Sequence, residues 1–272
     1  MRAAPVTVVI PCYISASTLR RAVESVYRQS LVPNQVVVVD DGSDDPATAR
    51  CIRDLQRDYG ERGLLVLAFS SNRGPSAARN AGWNLASQDF VAFLDADDEW
   101  HDRKIELQLQ VMEHESRPAL SGHAVNVGWS QLSTPARLCE QHVSAVSTPQ
   151  LLRRNWFATS SVMVRRSVPA RFNEQRRLAE DYEVWLKIAL SGEDCRFIHV
   201  PLTTYYKSLF GEGGLSKQLV KMEAAQVAVY RDLKSEGRIA TKSYFFLRVW
   251  SLIRFTRRMT IVGMRTVSKA LR

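Results

Sequence analysis

QVVVVDDGSDDPATARCIRDLQRDYGERGLLVLAF, residues 35–69, holds a strand, a helix and a second strand in outline. Its opening, QVVVVD, sets four valines in succession; β-branched side chains suit extended backbone, and a run without polar alternation suits a strand buried on both faces. Asp45 followed by Pro46 marks a helix start, a carboxylate able to accept orphan backbone N–H bonds before a residue preset for the first turn. The spacing predicts a helix over 46–59. LLVLAF, residues 64–69, is again apolar throughout, so the two strands need a parallel crossover connection.

The alternation continues on either side. VTVVI (6–10) and FVAFL (90–94) read as further strands, and STLRRAVESVYRQ (17–29) and SAARNAGWNLAS (76–87) as helices. A βαβαβαβ order predicts a doubly wound α/β sheet with helices on both faces. Ligands of such sheets bind beyond the carboxyl ends of the strands. The polar segments there, PCYISAS, DDGSDD, SSNRGPS and DADDEW, are expected along one rim. From about residue 115 to 175 the periodicity fades and no strands are assigned. A helix returns at LAEDYEVWLKIALSG (178–192), with Tyr182, Trp185, Leu186 and Ala189 on one face and Gly192 as the stop. CRFIHVPLTTYYK (195–207) reads as a strand pair or a strand and turn, and SLFGEGGLSK (208–217) as a glycine-rich loop.

With 272 residues, 45% of them hydrophobic, the chain can fill one large domain or two closely joined lobes. The four cysteines are widely spaced and form no CxxC pair, so neither a zinc site nor a disulfide framework is indicated. MRAAPVTVVIP lacks the order of a signal peptide, and a cytoplasmic location is expected. Nine of the 37 Lys and Arg follow residue 236, where there is no Asp or Glu; the remaining 28 bases match the 28 acids, so the tail carries the whole net charge of +9.

The rim lacks GxGxxG and GxxxxGK[ST], which speaks against a dinucleotide fingerprint or a P-loop. It offers carboxylates instead. FVAFLDADDEW ends an apolar strand with Asp95 and Asp97, read as lying on the same side of an extended backbone. Magnesium or manganese is commonly held by one or two carboxylates together with substrate phosphates, so a metal-diphosphate site is expected there. Asp98 and Glu99 read as acids favouring the N-terminus of a helix in HDRKIELQLQVMEH. VDDGSDD is composed of turn residues, and on the same rim it suits a base or ribose edge.

VTVVIPCYISASTLRRAVESVYRQ, VVVVDDGSDD, SSNRGPSAARNAGWNLA, FVAFLDADDEW and LAEDYEVWLKIA together resemble, in order and spacing, the inverting family-2 nucleotide-sugar glycosyltransferases, over about residues 5–210. The resemblance implies an A-type glycosyltransferase fold, Rossmann-like, with a mostly parallel sheet. Its halves are expected at residues 1–98 for the nucleotide sugar and 99–236 for the acceptor. By position, Asp41 matches the nucleobase contact, Pro11 and Tyr13 the wall beside the nucleoside, and Gly74 and Arg79 positions near the nucleotide. Asp95 matches the first aspartate of the DxD motif, near ribose and metal, and Asp97 the metal-ligating last one. Asp181 matches the catalytic base. A divalent metal, manganese or magnesium, a nucleoside-diphosphate sugar with UDP first, and a glycan or lipid-linked acceptor follow from the same resemblance, as does a role in bacterial cell-surface polysaccharide or lipopolysaccharide synthesis. Without it, Glu180 and Asp181 read as helix-capping acids, and Trp185 and Tyr182 as core; Trp129 and Trp156 read as core or sugar platform alike. Two positions depart from the family pattern. Ile14 stands where many relatives have Asn, and Lys207 and Leu209 stand where a YRxH-like segment often brings a His toward the metal or diphosphate. His199 reads as structural. A nucleotidyl- or phosphotransferase, or a non-catalytic sugar-nucleotide-binding membrane scaffold, is the alternative.

Residues 237–272 form the third region. At about 100° per residue, a helix over 243–272 sets Arg254, Arg257, Arg258, Arg265, Lys269 and Arg272 on one side. Phe245, Val249, Leu252, Ile253, Met259, Val267 and Leu271 fall broadly opposite. This basic amphipathic tail suits an anionic membrane surface, on the inner face of the cell membrane, with a homodimer as the alternative; nucleic acid is not expected, because the neutral body extends no basic groove.

Overall fold

The computed structural model describes residues 3–128, 134–206 and 219–270, with side chains of the last helix described as far as Thr260. Trp129, Lys207 and Leu209, the loop 208–217, and the side chains of Arg265, Val267, Lys269, Leu271 and Arg272 lie outside the described residues.

Strands β1 (Ala4–Cys12), β2 (Pro33–Asp40), β3 (Leu64–Ala68) and β4 (Phe90–Phe93) stand in the order β3-β2-β1-β4, every neighbouring pair parallel. Helices α1 (Leu19–Tyr27), α2 (Pro46–Tyr59) and α3 (Pro75–Leu85) connect them. Helix α2 starts and ends where the spacing predicts, and Asp45 Oδ2 accepts the Thr48 N–H at 2.8 Å. Alternate residues of a strand face opposite ways, and the core divides accordingly. Val8, Ile10, Val36 and Val38 pack with α1 and α2 on one face, while Val9, Val37 and Val39 meet α3 on the other. Gly82 sets the closeness of that second layer: a Cβ there would stand 2.4 Å from Val9 Cγ1.

The second half comprises β5 (Asp98–Trp100), α4 (Lys104–Met112), β6 (Leu120–Val127), β7 (Val143–Ala145), α5 (Thr148–Arg153), β8 (Met163–Arg165), α6 (Glu180–Leu190), β9 (Cys195–Tyr205), α7 (Leu219–Ser235) and α8 (Thr241–Ala270). Beyond β4 the sheet continues β8-β6-β9-β5, with β7 also on β9. Strand β8 is antiparallel to both neighbours, β6 and β9 are parallel, and β5 and β7 run antiparallel to β9. Segment 195–205 is one long strand rather than a pair, its register on β6 slipping around Pro201, which has no N–H to give the ladder.

Two sequence expectations are corrected around β5. Asp98 and Glu99 are strand residues, not the start of a helix: β5 pairs with β9, and Asp98 is buried with Ser160 Oγ donating to its Oδ2. Asp95 and Asp97 lie on a turn, closed by the Asp98 N–H on the Asp95 carbonyl at 3.1 Å, because the chain must reverse from β4 to reach β9.

Helix α6 is fixed from both sides. Trp83, Phe93, Phe172 and Trp185 meet edge to face or tilted, joining α6 to α3 and the end of β4. Each such contact adds roughly 0.5–1.5 kcal/mol beyond area burial. Tyr182 and Trp185 are thus core. On the outer side buried Glu183 pairs with Arg176 at 2.5 Å and Lys187 at 2.8 Å, and Arg176 reaches on to Asp232 of α7. Burial pushes the Glu183 carboxyl up, but the bonds from Lys187 and Arg176 outweigh it and hold the group below its ordinary range. Helix α8 packs on α7 and α5 through Leu247 and Ser251. Arg254 and Arg258 sit on this docked side, and Phe245, Val249, Leu252, Ile253 and Met259 are exposed.

Candidate functional site

All four rim segments contribute to one cavity of about 460 Å³ at the carboxyl ends of β1, β2 and β4. Six of the eight residues singled out in the sequence line it: Pro11, Tyr13, Asp41, Arg79, Asp95 and Asp97. Gly74 and Asp181 are not among its lining residues.

The β1 end turns at Tyr13 and Ile14. The Ile14 N–H donates to Ser43 Oγ at 2.9 Å, and the Ser43 hydroxyl donates to Asp40 Oδ1 at 2.6 Å, so the loops after β1 and β2 are tied together. Asp41 secures a third loop: its Oδ1 accepts the Arg73 N–H at 2.7 Å and its Oδ2 the Gly74 N–H at 2.8 Å. Each oxygen retains a further lone pair for a donor in the cavity. Gly42 makes the approach possible; its φ is +71°, and a Cβ would stand 2.5 Å from the Ser71 carbonyl carbon. Gly74 lies beneath the Arg177 guanidinium.

The DAD turn is joined to α6 by one side chain. Arg79, on α3, donates through Nη2 to Asp95 Oδ1 at 2.7 Å and through Nη1 to Glu180 Oε1 at 3.2 Å, with its side chain only 6% exposed. Burial disfavours its charge, but Asp95 and then Glu180 more than compensate and raise the guanidinium above its ordinary range. Asp95 is also fixed from the main chain, its N–H donating to Ser160 Oγ at 3.1 Å. The Arg21 guanidinium donates to the Asp97 carbonyl at 2.9 Å.

Asp181 is in the first turn of α6, behind Ala179 in the left-handed region at φ 59°. Asn155 Nδ2 donates to its Oδ2 at 3.0 Å and the Tyr182 N–H to its Oδ1 at 2.7 Å. Although the residue keeps an open edge, surrounding protein, and next the Glu180 charge, push its carboxyl up to about 6. It is therefore a carboxylate at neutral pH that takes a proton readily. Glu180, Asn155, Ser160 and Arg177 were not expected as parts of this site. The ED pair and the DAD turn hinted at Glu180, but Asn155 and Ser160 reach it from the segment without periodicity.

Asp95, Asp97, Glu180 and Asp181 bring four carboxylates to the region that Arg79 crosses, a balance that favours a further cation before an anionic diphosphate enters. Among the described residues no three His, Cys, Asp or Glu form a group able to hold a metal unaided. Two aspartates on one turn at a cavity nevertheless form a donor set that suits a hard divalent ion whose shell is completed by phosphate oxygens and water. Thr134 Oγ1 with His101, and Ser144 with His199, use those imidazoles structurally, away from the cavity lining.

The model of the family described as "Glycosyl transferase family 2" matches residues 7–166, more than half of the chain. An amylovoran biosynthesis glycosyltransferase of Erwinia amylovora is 28% identical over 212 residues, 74% of this chain and 69% of that protein. A UDP-Glc:alpha-D-GlcNAc-diphosphoundecaprenol beta-1,3-glucosyltransferase of Escherichia coli is 24% identical over 197 residues, 71% of this chain and 74% of the relative. In fold, the chain is similar to a mannosyltransferase of Pyrobaculum calidifontis solved with GDP-Man and Mn2+, with a TM-score of 0.66 at 16% identity, over 100% of this chain and 81% of that one. With the family model spanning the parallel strands β3-β2-β1-β4, the DAD turn and strand β8, the chain belongs to glycosyl transferase family 2 and is a glycosyltransferase.

Proposed function

We propose that this glycosyltransferase performs a metal-dependent, inverting transfer of a sugar from a nucleoside diphosphate, with UDP as the nucleotide, to an acceptor hydroxyl. The observation that carries the reading is Asp181, a carboxylate raised to about 6 and held by Asn155, joined through Glu180 and Arg79 to a cavity bordered by Asp95 and Asp97. In this reading residues 1–98 form the donor half, with Pro11 and Tyr13 beside the nucleoside, Asp41 toward the base, and Gly74 and Arg79 near the diphosphate. Residues 99–236 form the acceptor half.

Asp97, with Asp95, would hold magnesium or manganese, which when bound stabilises negative charge on the leaving diphosphate. Asp181 takes the acceptor proton as its oxygen attacks the anomeric carbon. The bond from that carbon to the diphosphate oxygen breaks on the opposite face, the nucleoside diphosphate departs with the electron pair, and the configuration inverts. Arg79 orients Asp95 through their 2.7 Å bond while Glu180 helps keep the Asp181 carboxyl basic. The product is assigned to bacterial cell-surface polysaccharide or lipopolysaccharide, made on the cytoplasmic side of the membrane. The Escherichia coli relative, named for a UDP-Glc donor and a diphosphoundecaprenol-linked acceptor, supports the choice of UDP and of a lipid-linked acceptor.

The test is a screen of UDP-, GDP- and dTDP-sugars for manganese-dependent release of free nucleoside diphosphate. Release from a UDP-sugar, lost in Asp97→Ala at the level of binding and in Asp181→Asn at the level of turnover, is the expected result. Metal-independent donor binding, or undiminished turnover in Asp181→Asn, overturns the corresponding assignment.

A further inference from the structure

Helix α8 leaves more large apolar side chains outside than it buries. Its inward face seats Leu247 and Tyr244 on the core and is otherwise held by polar bonds: Ser251 and Arg258 bind Glu223 of α7, and Arg254 and the Trp250 indole N–H bind the Arg153 carbonyl at the end of α5. Outward it presents Phe245, Phe246, Val249, Leu252, Ile253 and Met259, each between 43% and 59% exposed. On the helical wheel Arg248 and Arg257 bracket this apolar arc and Lys242 lies within it, all three exposed. A contiguous apolar face of this kind marks a binding surface.

We propose that the outward face of α8 docks in the plane of an anionic lipid surface and thereby brings the active site to an acceptor carried in that surface. Charge selects the occupant. Residues 237–272 hold nine Lys or Arg and no acid, and Lys242, Arg248 and Arg257 at the apolar face are exposed, so face-to-face pairing of two copies sets like charges together. An anionic leaflet converts the same charge into attraction. No helix among the described residues is long and apolar enough to cross a membrane, which leaves a helix lying in the interface. Beside the face, a cavity of about 380 Å³ between α5 and α8 is lined by Arg153 and Lys242 together with Leu152, Phe246 and Leu247, the residue types that suit a lipid phosphate and its chains.

The surface is coupled to the chemistry by three residues of chain. Arg153 is gripped by α8, and Asn155, two positions on, donates to Asp181. The inference rests on the proposed reaction only for the identity of the acceptor; lipid binding stands apart from it.

The full chain is floated with phosphatidylcholine vesicles, alone or doped with phosphatidylglycerol, and nucleoside diphosphate release with water as acceptor is measured in parallel. Flotation with the doped vesicles only is expected, weakening roughly fivefold for each of Lys242→Gln, Arg248→Gln and Arg257→Gln. The triple variant Phe245→Ser, Leu252→Ser, Ile253→Ser is expected to lose flotation at least tenfold with unchanged melting temperature and unchanged release. Equal flotation of the triple variant, or equal flotation with undoped vesicles, overturns the proposal. So does a wild-type dimer by sedimentation that fails to float and becomes monomeric in the triple variant. Flotation without release from any donor leaves the lipid surface standing and removes the reaction instead.

Discussion

Asp181 has an ordinary carboxyl made unusual by its neighbours. Burial and Glu180 raise it, the Tyr182 N–H, Arg79 and Asn155 lower it, and it stands at about 6. As the proposed base it acts only when ionised, so kcat/KM is expected to rise through about pH 6 and level above it. Removing the Asn155 donor takes a bond from the ionised form, so Asn155→Ala is expected to move that limb to higher pH, a shift that simple loss of packing does not produce. The stability effect has the opposite direction. Between the unfolded carboxyl value and about 6 the folded chain holds a proton that the unfolded chain has lost, so stability falls as pH rises across that window, and the full penalty is present above it. It is at most about 3 kcal/mol; the open edge of the residue screens it to roughly 1. Asp181→Asn is therefore expected to lose turnover while melting higher at pH 7 than the wild type, and a lower melting point contradicts the burial argument. Ile14 makes a related case. Its φ of 47° puts a β-branched residue in the left-handed region, where Asn is far better tolerated, and its side chain is half exposed. Ile14→Asn is expected to stabilise the fold by about 1 kcal/mol, measured by chemical denaturation. The sequence showed the departure from the family's Asn, but not that the position carries strain.

Strands β1 to β4 and the helices between them were legible as elements because each of those strands is apolar on both faces and each helix lies between two of them. Helix α2 carries its own start in Asp45 and Pro46. Strands β7 and β8 span three residues each, too short for a period, and β8 pairs between β4 and β6, segments far from it in sequence. For the same reason β5 passed for the beginning of a helix: Asp98 pairs with β9 and accepts a bond from Ser160, sixty-two positions away. The acids of the site were visible as residue types, whereas their wiring through Arg79, Asn155 and Ser160 depends on these late pairings. Helix α4 holds a further element no periodicity discloses. Lys104, at its first turn, is fully buried, its Nζ 3.7 Å above the Trp100 ring and without a hydrogen-bond partner among the described residues. Burial depresses its amine well below the ordinary range. The unfolded chain then binds a proton that the folded one refuses, so stability rises with pH toward about 10, the ordinary lysine value. Lys104→Met fills the same space without the amine; it is expected to raise stability at pH 7 by about 1–3 kcal/mol and to flatten the rise between pH 7 and 10. Unchanged slopes count against a neutral buried lysine.

At the scale of the whole molecule, the cavity is where otherwise separate parts are fastened to one another. Its lining comes from the ends of β1, β2 and β4 and from α3, and Arg79 carries the connection on to α6, whose far side is tied to α7 by Arg176. A ligand that bridges this lining stabilises the cooperative unit, by about 2.7 kcal/mol at a concentration a hundredfold above its Kd. For a chain of this size that corresponds to a rise in melting temperature of roughly 5 °C. The proposed site requires the two ligands to act together, because the carboxylates repel a diphosphate until a divalent ion screens them, and the ion finds no complete protein shell among the described residues. UDP with manganese is therefore expected to raise the melting temperature by more than the sum of the two alone, and Asp97→Ala to abolish that excess while leaving the unliganded melting temperature nearly unchanged. If manganese by itself gives the whole rise, the ion is held by protein groups elsewhere; if UDP by itself gives it, the DAD turn binds no metal in this enzyme.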